Sequence, residues 1–419
     1  MTTSIHIKCD VCGHVFTLKS QMDDSIRLYD WPIEIACPEC NNHMHLTYGA
    51  QRGLQPSRYI CKEEANSTHI GYSASLPICK EMYYTHQPLV TPFFSAFLNL
   101  FYLYGPEKLN THKIITNRIF TSLLPNKNLM MELLPFVKKD GNPEYLLKKV
   151  AVHFNDIDNN TKTTATCIDI YNNYISLIYE LIASPEYKKQ RGTYMNDLRC
   201  FIETASKEQI QNLIECTANF QDIEEWLIKS GYPYIADIIS HVEQYIPAIF
   251  FSSIGDFNIP HTQDFYILTV DEKQVSNDYA RGFEELMKII PFMVGLHNLK
   301  NNGDCNHCTE GDTEYFNALE RFVNKTNGAK KKEIYNSYPS LKAYLEYTIE
   351  SHIRNGKNHE DEVYDVKTQN ISYHYNANSN GAIHTERLID VSLRVYLQLL
   401  VMIEITILIN HIEKKLSGL

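Results

Sequence analysis

Apolar residues along this chain recur mainly at helical spacing, with strand-like alternation confined to short stretches. At the N-terminus, Val15-Phe16-Thr17-Leu18 and Ile33-Glu34-Ile35 predict two short strands. Tyr59-Ile60-Cys61 and His69 to Pro77 predict extended segments, and a helical run opens with Phe93, Phe94, Phe97, Leu98, Leu100 and Phe101. From about 107 to 250 the periodicity is mostly helical, with helices predicted over Ile168–Ala183, Tyr194–Thr204, Lys207–Asn219 and Ile223–Lys229. The polar run Asn155 to Thr164 predicts an exposed loop, and Phe265 to Val270 a short strand. Tyr335, Leu341, Tyr344, Leu345, Thr348 and Ile349 carry a helical stripe that leads into Ile353-Arg354-Asn355. Val363–Val366 and Asn370–Tyr375 alternate like strands, Asn376 to Gly381 reads as a turn, and a last helix is expected from about Thr385 to Leu416. The pattern predicts a mainly α protein in three parts: a β ribbon over 1–48, a mixed then mostly helical scaffold or sensor region over 49–270, and a helical bundle over 271–419.

The ribbon carries readable chemistry. Cys9-Asp10-Val11-Cys12 and Cys37-Pro38-Glu39-Cys40 are two C-x-x-C pairs, with 24 residues between Cys12 and Cys37. Each pair supplies two sulfurs at a tight turn, and a tetrahedral ion needs four, so the spacing predicts a structural zinc site. Gly13 suits a turn that requires positive φ. His14, His43 and His45 lie near enough in sequence to replace one cysteine. A closed four-ligand site leaves no place for a substrate, so this zinc is expected to be structural. A third pair, Cys305 and Cys308, has no second knuckle, and Cys61, Cys79, Cys167, Cys200 and Cys216 are single.

Arg354-Asn355-Gly356-Lys357-Asn358-His359 places an arginine, an asparagine and a histidine within six residues. The imidazole can move protons near neutral pH. The planar guanidinium can hold a phosphate and offset charge that builds in a transition state. A helix, then R-N-x-x-x-H, then a short polar or β excursion, then a closing apolar helix resembles the HEPN domain over roughly residues 275–416. In that family R-x(4–6)-H is the ribonuclease signature, and Arg354, Asn355 and His359 match it position by position. The resemblance implies a small helical bundle that forms homodimers or higher homo-oligomers, with the two motifs meeting in one composite site. It implies metal-independent endoribonuclease chemistry, in which the ribose 2′-OH attacks the adjacent phosphate. His359 would serve as general acid or base, Arg354 would stabilise the pentavalent phosphate, and Asn355 would orient the histidine or the phosphate. RNA is then the required substrate, because DNA lacks the 2′-OH. The resemblance also implies a bacterial toxin or abortive-infection antiphage effector, held in check by an inhibitory partner or released by a phage-derived trigger. The alternative is a non-catalytic helical adaptor with a structural zinc ribbon.

Composition bounds these readings. A chain of 419 residues with 44% hydrophobic and 21% charged residues is long enough for two or three domains with a sizeable core. Eleven cysteines without a regular framework suit a reducing, cytoplasmic setting. The apolar stretch Val395 to Ile412 is interrupted or flanked by Arg394, Gln398, Glu404, Asn410 and Glu413, which favours a buried bundle helix with part of its face in a dimer interface over a membrane span. The net charge of −11 disfavours nonspecific coating of nucleic acid, although a local cleft can still be positive on an acidic protein. The chain has no phosphate-binding glycine loop and no nucleophile elbow.

Overall fold

The computed structural model describes residues 2–21, 29–49, 53–63, 68–83, 96–138, 141–153, 166–218, 222–255, 257, 264–310, 313–315, 318–358, 362–374 and 383–417. The protein is mainly α, with small sheets toward the N-terminus, beside the Arg354 segment and where Cys308–Glu310 pairs with Thr313–Tyr315. It divides into two compact units, each assembled from three stretches of chain. The first comprises 1–125, 241–279 and 352–396, and the second comprises 126–240, 280–351 and 397–419.

The first unit is built around two hairpins. β1 (Thr2–Lys8) pairs antiparallel with β2 (Val15–Gln21), in a register that sets Lys8 opposite Val15. β3 (Trp31–Ala36) pairs antiparallel with β4 (His43–Gly49), with Ala36 opposite His43 and Glu34 opposite His45. β5 (Gly53–Gln55) extends the second sheet, and β6 (His69–Ser73) joins β2 in parallel. Ile7, Phe16, Leu18, Trp31, Ile33, Ile35 and Met44 are fully buried. β3 is apolar on both faces apart from Glu34, as expected of a strand covered on both sides. β7 (Ile78–Cys79) pairs with β8 (Phe265–Tyr266), so the strand predicted to run to Val270 stops at Tyr266. Beyond it the chain still bonds as an edge. Leu268 O accepts from the Glu34 amide at 2.8 Å, and the Gln369 side chain bonds the Ile267 amide and carbonyl at 3.0 and 2.5 Å.

A meander of β9 (Glu362–Asp365), β10 (Asn370–His374) and β11 (Ile383–Arg387) completes this unit. The last helix therefore begins at Leu388 rather than Thr385, because 383–387 pair with β10 instead of coiling. The predicted loop at 155–164 and the turn at 376–381 lie outside the described residues.

The second unit is helical. Its helices include Cys167–Ile182, Gly192–Thr204, Lys207–Ala218 and Ile223–Trp226, the last continuing into a wider turn over Leu227–Gly231. Thr166 and Asp169 form a reciprocal capping box that fixes where the first of these starts. The helical stripe expected from Tyr335 to Asn355 is instead three helices, Asn327–Ser337, Pro339–Leu345 and Ser351–Asn358. Pro339 sits at a helix start, where its missing N–H costs nothing. The second helix ends at Leu345, where Glu346 leaves the helical region with ψ of 137°, and Tyr347 follows with φ of +67°. The carbonyls freed at this break are satisfied: Arg191 Nη1 donates to Tyr344 O (3.2 Å) and Glu346 O (2.8 Å), and Gln398 Nε2 donates to Thr348 O (2.8 Å).

The helix Leu388–Ser417 is long and apolar enough to cross a membrane, yet 94% of its most apolar window is buried inside the protein. Several of its polar residues have protein partners. Glu404 is buried, and its carboxylate accepts from the hydroxyls of Tyr179 (2.6 Å), Tyr344 (2.8 Å) and Tyr187 (3.0 Å). Burial pushes the Glu404 carboxyl up, while the three hydroxyls pull it back. These contacts match the expectation of a core helix.

Glu404→Ala removes the shared acceptor of three hydroxyls and is expected to cost about 3 kcal/mol, read from the urea midpoint, with Glu404→Gln losing less. A pH effect is expected in the first unit. His112 is buried, its Nε2 lies 2.8 Å from Ser75 O, and burial lowers its pKa from 6.5 to about 4. The folded state thus favours the neutral ring. This stabilisation is complete above about pH 6.5 and is lost as the pH falls toward 4. His112→Gln should flatten that part of the stability–pH curve.

Candidate functional site

The four predicted cysteines converge. Cys9, Cys12, Cys37 and Cys40 present sulfurs that all lie within 4.8 Å of one another, with Cys9 to Cys40 at 3.7 Å and Cys12 to Cys37 at 3.6 Å. These separations are far too long for disulfides. Four sulfurs bound at about 2.3 Å to a tetrahedral ion are separated by about 3.8 Å, so the cluster could hold a metal ion such as zinc without rearrangement.

Each knuckle is the turn of one hairpin, and the two turns are built alike. In the first, Gly13 N donates to Cys9 O (3.0 Å) and Cys9 N to His14 O (2.9 Å). In the second, Asn41 N donates to Cys37 O (3.0 Å) and Cys37 N to Asn42 O (2.8 Å). Gly13 and Asn41 occupy equivalent positions, with φ of +76° and +59°. The sequence signal for this match is the residue type. Glycine and asparagine are the residues that most readily enter the left-handed region. Burial pushes the Cys37 thiol up to about 12, so a bound cation is what would favour its thiolate. Asn42 Nδ2 lies 3.9 Å from Cys9 Sγ and donates to Asp10 Oδ1 at 3.2 Å. None of the three neighbouring histidines is needed as a substitute ligand. His43 and His45 face Glu34, an arrangement the spacing did not disclose.

The second predicted site is described only in part. Arg354 and Asn355 lie on the helix Ser351–Asn358, both partly exposed, and Arg354 Nη1 donates to Asn355 Oδ1 at 3.0 Å. His359 lies outside the described residues. Gly356 fixes the helix against β10: a Cβ added there would meet the Tyr373 ring at 2.4 Å and the Tyr373 Cβ at 2.8 Å. Arg354 and Asn355 are therefore set on a helix whose approach to the sheet only glycine permits.

The opposite side of the same helix carries a cluster that motif reading missed. His352 Nε2 lies 2.9 Å from Glu386 Oε1, and Arg394 Nη2 donates to the same carboxylate at 3.3 and 3.4 Å. The His384 ring stacks on His352 at 4.9 Å. Burial raises the Glu386 carboxyl, but His352 and Arg394 outweigh it and the net shift is downward. Burial and the Glu386 charge push Asp390 up to about 8. Two positions along a helix turn the side chain about 200°, so His352 and Arg354 leave on different faces. Glu350, four residues before Arg354, contacts Lys331 and Tyr335.

Of the remaining C-x-x-C pair, the Cys308 side chain lies outside the described residues. Cys305 is buried, and burial followed by its Cys216 neighbour pushes it up to about 12.

Cobalt substitution checks the cysteine cluster. The wild-type protein should show strong thiolate-to-metal absorption that vanishes in Cys12→Ser and Cys40→Ser, both at exposed positions. Metal removal should open the β1–β2 and β3–β4 hairpin ends, seen as faster amide exchange at residues 7–16 and 35–44.

No family model matches the chain, and no curated protein or solved structure matches it.

Proposed function

We propose that the protein is a metal-independent RNA endonuclease of the HEPN type, working as a dimer through Arg354, Asn355 and His359. The observation that carries this reading is the preset Arg354–Asn355 pair, partly exposed on a helix packed by Gly356 against Tyr373. A guanidinium held by a neighbouring amide is pre-oriented for a phosphate and loses less freedom on binding it.

In the reaction, His359 of one protomer takes the 2′-OH proton as the 2′-oxygen bonds to phosphorus. Arg354 balances the charge on the pentavalent phosphorane. The bond from phosphorus to the 5′-oxygen breaks, and a second protonated histidine at the composite site supplies that oxygen's proton. The products are a 2′,3′-cyclic phosphate and a 5′-hydroxyl. Zinc in the four-cysteine cluster holds the two N-terminal hairpin turns together and takes no part in cleavage. By the same resemblance, the protein acts as a cytoplasmic toxin or abortive-infection effector against phage, released by a phage-derived trigger or restrained by an inhibitory partner.

A helical binding protein with a structural metal ribbon is the second reading. It is favoured by the acidic lining of the cleft beside the meander, where Asp271, Glu272, Glu362 and Asp365 would repel phosphate.

RNA cleavage by the purified protein in chelator, with circular dichroism confirming the fold, tests the enzyme reading. Wild type should leave cyclic phosphate ends, and His359→Ala and Arg354→Ala should each lose at least about 100-fold in rate. If cleavage is absent in a folded dimer, and expression of wild type and mutants is equally harmless to cells, the binding-protein reading stands instead.

A further inference from the structure

β3 carries one charged residue, Glu34, between Ile33 and Ile35, which are both fully buried. Its side chain is only 9% exposed. A carboxylate so placed is costly unless something charged meets it. The antiparallel register brings His45 directly across the ladder, with His43 two residues along β4 on the same face. Glu34 Oε2 lies 2.9 Å from His43 Nε2 and 2.6 Å from His45 Nδ1, and the two imidazoles are 4.2 Å apart between ring centres. Glu34 Oε2 and His43 Nε2 are buried and make no hydrogen bond of good geometry, although they lie within ion-pair distance of each other. Three ligand atoms thus crowd toward one point. Atoms bound to one ion at about 2.1 Å stand roughly 3.0–3.4 Å apart, so modest spreading of this trio would admit a cation.

His43 and His45 open onto a cleft of about 1020 Å³. Asp271, Glu272, Glu362 and Asp365 line the cleft together with His43 and His45, and Lys273 is the one basic residue in the lining. Four carboxylates give this cleft a field that draws cations. The placement follows from the backbone ties already described. Leu268 is bonded to the Glu34 amide and Ile267 to Gln369, so the chain carrying Asp271 and Glu272 runs between β3 and the meander that carries Glu362 and Asp365.

We infer that Glu34, His43 and His45 form a second metal centre, separate from the four-cysteine cluster, which binds a first-row divalent transition-metal ion through two imidazoles and one carboxylate and leaves coordination positions open to the acidic cleft. Two histidines and a carboxylate are a donor set suited to Zn²⁺ or Fe²⁺, and three protein ligands leave room for water or a ligand. The cysteine cluster is closed by contrast, with four sulfurs for one ion. The inference is independent of the ribonuclease reading, because it concerns binding and uses other residues.

The test counts metal on the full-length protein after equilibrium dialysis against micromolar free zinc. The wild type should hold two equivalents per chain, and His45→Ala and Glu34→Gln should each hold one. His45 has a 61% exposed side chain, so its replacement leaves the core intact. It decides the matter even if the Glu34 variant fails to fold. With cobalt as the probe, His45→Ala should keep the thiolate-to-metal absorption and weaken the remaining, thiolate-free binding event at least about 10-fold. One equivalent on the wild type, or two retained by His45→Ala, would overturn the inference and leave the trio as a buried histidine–glutamate ion pair.

Discussion

The register of β3 against β4 is the constraint on which the N-terminal chemistry depends. Ala36 opposite His43 leaves six residues to make the turn, and those six carry Cys37 and Cys40. The turn closes because Cys37 and Asn42 bond through their backbones while Asn41 adopts the left-handed conformation. The same register sets Glu34 across from His45. A slip by one residue would send Glu34 to the opposite side and misalign the sulfurs with those of the β1–β2 turn. One ladder thus controls both the four-sulfur cluster and the histidine–carboxylate trio.

Buried polar groups do comparable organising work in the helical unit. Apolar burial specifies only that helices pack, and many packings bury similar area. A carboxylate that must meet three tyrosine hydroxyls, as Glu404 does, allows far fewer. Arg191 and Gln398 extend the logic to the backbone. They satisfy carbonyls at the break near Tyr347, which lets the chain leave one helix and start the next at Ser351 without buried unpaired groups. Polar residues in an apolar helix carry the information about where neighbouring segments must lie.

Charge is distributed unevenly over the first unit. The cleft beside β4 is walled by carboxylates and suits a cation. The Arg354 guanidinium lies on the short helix Ser351–Asn358 and donates to Asn355 Oδ1. A net charge of −11 is a property of the whole surface, and the local potential can differ from it in sign.

The parts of this protein that were legible in its sequence are those set by neighbours along the chain. The cysteine pairs, one strand of each hairpin beside them (Val15–Leu18 and Ile33–Ile35) and the helices at 167–182, 192–204 and 207–218 follow from short-range spacing, turn chemistry and helical periodicity, whereas the partner strands β1 and β4 did not stand out. The readings that moved were those in which a distant segment overrode a local preference. Residues 383–387 became a strand because β10 offered a ladder, and the helix before Arg354 broke where Arg191 and Gln398, far away in sequence, could accept the break. The Glu34–His43–His45 trio was hidden for the same reason. Its histidines looked like neighbours of the cysteines along the chain, whereas the cross-strand register turned them toward a carboxylate. Side-chain chemistry and local conformation are written into the order of residues. Which groups face one another across a ladder or a helix break is settled only when the whole unit satisfies its buried polar atoms at once.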